Sequence, residues 1–464
     1  MCYVTLNLIE QVSSFASHAQ NVLRCGTILK RPHWGLFLFD DKSFLQYHKR
    51  IMKNANEIIK EAEKLLAPQF EKIEEIRDFN QEKVLKAFVN NHVAPEHFYT
   101  VSGYGHDDLG REVLDKVYAQ VFKAEKAIVR THFATGTHTL ACALFGNLHY
   151  GDKLLAVAGT PYDTMRQVIG LTGDELAKKN SLIGNGIIYD EVPLINDDDI
   201  DFETLEKKVD ETTTMVLIQR SRGYETRKSL TIEVIEKIIK IVKSKNPNCI
   251  CFVDNCYGEF AEEKEPIEVG ADLIGGSLIK NPGGGLVECG GYIAGKEELV
   301  EASAIRLTAP GVGSESGAML NQHRLIFQGL FMAPSIVADV IKGMVLAAKI
   351  FEDMGFISSP KYDAPRTDII QIITFNAPEP LIEFCKTIQS LSPINGYVTP
   401  IPELIPGYVD EVIMAGGTFI EGSTIELSAD GPIRPPYAVY MQGGLNYAHI
   451  KICLKGIIKK FEEL

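Results

Sequence analysis

The chain has 464 residues, 45% of them hydrophobic, enough to bury a large core and to form two domains. A formal net charge of -14 argues against a general nucleic-acid binder, and no run of about 20 apolar residues reads as a membrane crossing. Nine scattered cysteines without a Cys-x-x-Cys pair favour reduced thiols in a cytoplasm over a disulfide framework or a metal site.

Residues 1–41 lack a clear secretory apolar core and cleavage site and read as an extension of unclear role. Residues 42–100 form an expected helical arm, with Ile58, Ile59, Ala62, Leu65, Leu66, Ile73, Ile76, Val84, Leu85 and Phe88 at helical spacing. Residues 101–335 alternate strand-like and helix-like runs, which argues for a mostly parallel sheet with right-handed crossovers and ligands beyond the strand ends. Within them, Ala127–Arg130 reads as a buried strand, followed by Gly136-Thr137 opening a helical pattern from Leu140 to Phe145. Such a turn offers free N–H groups and a dipole end to a phosphate, although a plain Thr cap fits the same residues. Lys153–Val157 reads as the next strand and runs into Thr160-Pro161-Tyr162, which leaves Tyr162 at a loop tip where its ring can stack on a flat ligand. Met215–Ile218 then leads to a helix around Ile232–Ile239.

Phe252-Val253-Asp254 is an apolar strand ending on an acid, and Ala271–Ser277 is another that delivers Ser277 and Lys280 together. Singly, each has an ordinary reading: the acid as a cap, the lysine as a solvated loop residue. Together, on a long α/β chain, they suggest a pyridoxal phosphate site. That cofactor is held through a lysine amine, and a carboxylate facing its ring nitrogen keeps the nitrogen protonated, so the ring can withdraw electrons from a substrate carbanion. Gly283-Gly284-Gly285 reads as a tight loop letting the lysine approach the ring, and Gly311–Gly317 as a mobile or subunit-crossing loop; neither forms a nucleotide-binding unit.

Residues 336–464 begin with a linker helix through Ile336, Val340, Ile341, Met344, Val345 and Ala348. Strands are expected at Ile369–Phe375 and Ser423–Ser428, and helices at Pro380–Leu391 and Asn446–Phe461, which makes a smaller α+β C-terminal domain.

From about Phe70 to the C-terminus the chain resembles the aluminium-resistance, or methionine gamma-lyase-like, family of fold-type I pyridoxal phosphate enzymes. The resemblance rests on the Gly103–Arg111 segment, Gly136-Thr137-His138, Pro161–Thr164, Gln219-Arg220-Ser221-Arg222-Gly223-Tyr224, Asn281–Gly285 and Gln442-Gly443-Gly444-Leu445. It implies carbon–sulfur bond cleavage by β- or γ-elimination, with Lys280 moving the α-proton and Tyr162 stacking on the ring or protonating the leaving thiolate. It also implies a homodimer or homotetramer in which Tyr104 and Arg111 reach the neighbouring subunit's phosphate. Here those two are seven apart where cystathionine lyases carry Tyr-x-Arg, and Ile279 stands where their Ser-x-Thr-Lys has Thr. Tyr257 resembles the tyrosine that binds the ring oxygen in other fold-type I enzymes, and serves equally as a core residue.

An amino-acid carboxylate calls for a guanidinium. Arg434, on the Pro-stiffened turn Pro432–Tyr437, is the candidate, with Arg366, Arg220 and Arg222 as rivals. The expected partner is a small-molecule amino acid. Another pyridoxal phosphate reaction, such as an aldolase or transaminase, and a non-catalytic cofactor-binding protein remain alternatives.

Overall fold

A computed structural model describes residues 54–463, apart from 197, 224 and 405–409. The extension at 1–41 and the start of the expected arm lie outside the described residues.

Helix α1 (Ala55–Asn90) begins at a capping box. The Asn54 side chain accepts the N–H groups of Asn56 and Glu57, and the Glu57 carboxylate accepts the N–H of Asn54 at 3.3 Å. Ile58, Ile59, Ala62, Leu66, Ile73, Val84 and Ala87 are its buried face. They recur at three- and four-residue spacing, so one stripe of the helix enters the core.

The main sheet follows from short apolar runs, almost wholly buried except at the edge strand Ile188–Glu191. Its strands are β1 (Lys126–Arg130), β2 (Lys153–Ala156), β3 (Ile188–Glu191), β4 (Thr213–Gln219), β5 (Ile250–Asp254), β6 (Leu273–Ser277) and β7 (Gly291–Gly295). They lie in the order β1-β7-β6-β5-β4-β2-β3. The block β3, β2, β4, β5 and β6 is parallel, whereas β7 runs antiparallel to both neighbours. Parallel strands require crossovers, supplied here by α3 (Gly136–Asn147), α4 (Asp163–Ile169) and α5 (Ile232–Lys245), after α2 (Leu109–Val121) on the entry side. All parallel strands therefore end on one side of the sheet, where β4, β5 and β6 bring Gln219, Asp254 and Ser277 together.

After α6 (Glu297–Leu307), helix α7 (His323–Asp353) runs unbroken through the boundary expected at 335/336. It also corrects the expectation that no segment is long and apolar enough to cross a membrane: its mean hydropathy reaches 1.7. The same window is 72% buried within the protein, so the fold itself uses this apolarity. Each fully buried Leu, Ile, Val or Phe contributes roughly 1.5–3 kcal/mol, and α7 carries eleven buried residues of these types, packing on α1, on the turn after Lys280 and on the C-terminal sheet.

The C-terminal sheet is antiparallel, with β8 (Ile357–Ser359), β9 (Ile370–Thr374), β10 (Val412–Gly416), β11 (Ser428–Pro432) and β12 (Ala438–Gln442) in the order β8-β9-β12-β11-β10. Helices α8 (Pro378–Ser390) and α9 (Tyr447–Glu463) pack on one another beside it. The strand expected at Ser423–Ser428 is displaced to β11. The Glu426 carboxylate folds back to accept the N–H groups of Phe419 and Ile420, both at 2.9 Å, and the Ile425 N–H goes to Ile279 O at 3.1 Å. Residues 423–427 thus form a loop clasping the segment that carries Lys280.

The glycine run after Lys280 is demanded by close packing. A Cβ on Gly283 would lie 1.7 Å from Leu278 O, and one on Gly284, at φ +53, would lie 2.4 Å from Gly329 O in α7. This contact seats the lysine-bearing turn on α7. The Gly311–Gly317 loop, expected to be mobile or subunit-crossing, is tied down within the chain: Arg111 donates to the carbonyls of Glu315 and Gly317, and Arg130 to that of Ser314.

Candidate active site

A cavity of about 450 Å³ opens beyond the ends of β4, β5 and β6, closed on the far side by residues 421–423, Tyr440 and Gln442 of the C-terminal region. Lys280, Asp254, Tyr162, Tyr257, Ser277, Gly136 and Thr137, all singled out from sequence, line it.

Asp254 ends β5 and is 5% exposed. The Cys256 N–H donates to its carboxylate at 3.1 Å. Burial pushes this carboxyl above the usual aspartate range, opposed chiefly by the charge of Lys280. At Lys280, burial acts against the ammonium, but Cys256, Tyr257 and Asp254 around it hold the group above the usual lysine range. Its Nζ lies 4.0 Å from the centre of the Tyr257 ring, a cation–π distance. Tyr257 sits at φ +69, uncommon for a bulky residue. Its phenol donates to Ser423 O at 3.3 Å and accepts from Gln442 Nε2 at 3.2 Å, which fixes the ring across the domain cleft.

On the opposite wall, Thr135 caps α3 by accepting the His138 N–H at 3.0 Å. The N–H groups of Gly136 and Thr137 precede the first helical hydrogen bond, from Thr139 N to Thr135 O, and so remain available. A Cβ on Gly136 would lie 3.2 Å from Ser277 Cβ and 3.8 Å from its Oγ, so the helix start and the end of β6 converge on one spot. The Thr137 and Thr164 hydroxyls meet there at 2.9 Å. Open N–H groups, hydroxyls and a helix dipole make an anion cradle. Tyr162 caps the start of α4, held by its N–H to Gln219 Oε1 at 3.2 Å. Burial, with the nearby Asp254, raises its phenol well above the ordinary value, so it stays protonated.

Three expected residues are not brought into this cavity within one chain. Tyr104 is 80% exposed, with its ring beside that of His106. Arg111 is buried elsewhere, donating to the carbonyls of Gly105 at 2.6 Å, Glu315 at 3.0 Å and Gly317 at 3.3 Å. Arg434 stands at the tip of the β11–β12 turn, its side chain 59% exposed and paired with Asp410 at 2.9 Å. Of its rivals, Arg220 and Arg222 are fully buried in hydrogen-bond networks, and Arg366 donates to Gln371 at 2.8 Å. Thr164, Gln219 and Gln442 were not singled out as site residues, although all three stand in the strings quoted for the resemblance.

The chain is similar to known proteins over most of its length. Residues 55–462 match the methionine gamma-lyase family. The protein YnbB of Bacillus subtilis is 49% identical over 391 residues, covering 84% of this chain and 92% of YnbB. A solved structure from Listeria monocytogenes, provisionally named a cystathionine beta-lyase involved in aluminum resistance, has a TM-score of 0.85 at 49% identity and covers 87% of this chain and 99% of its own. A carbon-sulfur lyase involved in aluminum resistance from Clostridium novyi has a TM-score of 0.83 at 46% identity, covering 92% of this chain and all of that one. The fold is that of the fold-type I pyridoxal phosphate enzymes, and the chain belongs to the methionine gamma-lyase family.

Proposed function

We propose that the protein is a pyridoxal phosphate-dependent carbon–sulfur lyase that acts on a sulfur amino acid of the methionine, cystathionine or cysteine type by β- or γ-elimination. The observation that carries this reading is the meeting of Lys280, buried Asp254 and the open N-terminus of α3 in one cavity. These residues fit the cofactor. Asp254 is a buried acid opposite a lysine, and Gly136 leaves room beside Ser277 that a Cβ would crowd.

The bound cofactor supplies an electron sink for the pair left on the substrate α-carbon. Lys280 would hold it covalently, and the N–H groups of Gly136 and Thr137 with the hydroxyls of Thr137, Thr164 and Ser277 would take its phosphate. Asp254 would keep the cofactor's ring nitrogen protonated. The Lys280 amine would also accept the substrate α-proton at Nζ, held in place by the Tyr257 ring, whose centre lies 4.0 Å away. Tyr162 retains its phenolic proton, which suits it to protonate the departing sulfur. The exposed Tyr104 supports a homodimer in which this ring meets the second copy's site.

The test is a panel of sulfur amino acids with thiol, ammonia and 2-oxo acid assayed together. Equal release of all three is expected. Oxo acid without thiol would indicate transamination, and release of an aldehyde would indicate an aldolase.

A further inference from the structure

The string Gln219-Arg220-Ser221-Arg222 places Gln219 and Ser221 in the cavity wall, and Arg220, between them, points behind it with a fully buried side chain. Its Nε donates to Thr367 Oγ1 at 3.2 Å, Nη1 to Asn255 Oδ1 at 2.8 Å and Glu265 Oε2 at 3.4 Å, and Nη2 to Glu262 Oε1 at 3.1 Å. Its main-chain N–H goes to Asp254 O at 3.1 Å. The turn after Asp254 is folded around this guanidinium: a Cβ on Gly258 would lie 2.4 Å from Arg220 Cδ and 2.6 Å from Cζ. That turn holds two bulky residues at positive φ, Tyr257 at +69 and Phe260 at +63, a conformation that persists only where the surroundings impose it. Glu265 completes the frame by accepting from Asn255 Nδ2 at 3.0 Å and Phe260 N at 2.9 Å.

We propose that Arg220 is a positioning residue, the template that sets Asp254 and the Tyr257 ring against Lys280, and that it is not a ligand for the substrate carboxylate. The proposal rests on the lyase reading above. Lysine cannot replace it, because an ammonium lacks the planar fork that meets four acceptors, three in the 255–265 turn and one at Thr367, at once.

The test compares Arg220→Lys with wild type in cofactor uptake, in the pH midpoint of the bound cofactor's visible absorbance, and in kcat and KM. The expected result is native circular dichroism, a moved pH midpoint and a kcat lower by 10- to 100-fold, on the order expected for a displacement of about 1 Å, with KM little changed. A folded Arg220→Lys with wild-type kcat and midpoint overturns the proposal, as does a raised KM with unchanged kcat. If Arg220→Lys does not fold, Thr367→Val, which keeps the guanidinium but removes the acceptor of Nε and the hydroxyl's bonds to Leu230 O and Glu262 Oε1, decides in the same way with a smaller loss. Wild-type protein that takes up no pyridoxal phosphate would refute the lyase reading, a different outcome from any of these.

Discussion

Glu259 carries a pH dependence that can be worked from the structure. It is fully buried, with Oε1 accepting the Tyr292 hydroxyl at 2.8 Å and Oε2 without a partner. Burial pushes its carboxyl from the ordinary 4.5 up to about 8. Below pH 4.5 the group is protonated whether the chain is folded or not, and it contributes no pH dependence. Between 4.5 and 8 the unfolded chain ionises it while the folded chain keeps the proton, so stability falls as pH rises, and the loss levels off above 8. At about 1.4 kcal/mol per pH unit, the full interval corresponds to roughly 5 kcal/mol, of which about 4 kcal/mol accrues between pH 5 and 9. Glu259→Gln keeps an acceptor for Tyr292 and removes the titration. Urea midpoints followed by circular dichroism from pH 5 to 9 should therefore diverge, the variant gaining on wild type by about that amount toward alkaline pH. Parallel curves across the range would refute a buried, protonated Glu259.

Asp254→Asn retains an acceptor for Cys256 N–H but loses the charge. Cofactor should still bind, with turnover lower by on the order of 10³-fold, about the 4 kcal/mol of one charge pair at an effective dielectric near 20; parallel absorbance and oxo-acid assays check this. Arg434→Ala should leave KM within about threefold and stability within about 1 kcal/mol, as for an exposed ion pair; a tenfold rise in KM would place Arg434 in the substrate site. Mixing Lys280→Ala chains with Tyr104→Ala chains should restore activity that neither parent has, because one hybrid site of a two-fold dimer regains both residues; differential tagging verifies that mixed dimers form.

Lys280, Asp254 and Ser277 were legible because each follows a short apolar run that can only be a buried strand, and such strands present their carboxyl ends to ligands. Gly136-Thr137 was legible by the same logic, as a helix start after β1. The Arg220 frame was not. Its guanidinium meets Thr367, 147 positions away, and hydropathy reads an isolated charge as surface whatever its distant partners. The alternation of Ile425 and Leu427 with Thr424 and Glu426 has the period of a strand, yet the Glu426 carboxylate binds main-chain N–H groups and holds those residues in a loop. Arg434 was misleading for a local reason: the turn of Pro432 to Tyr437 is tight, closed by Tyr437 N to Arg434 O at 2.7 Å, and it leaves Arg434 exposed and paired with Asp410, outside the residues that line the cavity.

The central claim is that Lys280 holds pyridoxal phosphate. Purified protein incubated with the cofactor, reduced with borohydride, digested and mapped by mass spectrometry should carry the pyridoxyl group on the peptide containing Lys280, and the Lys280→Ala chain should carry none there. Label confined to surface lysines, and unchanged in Lys280→Ala, would contradict the account.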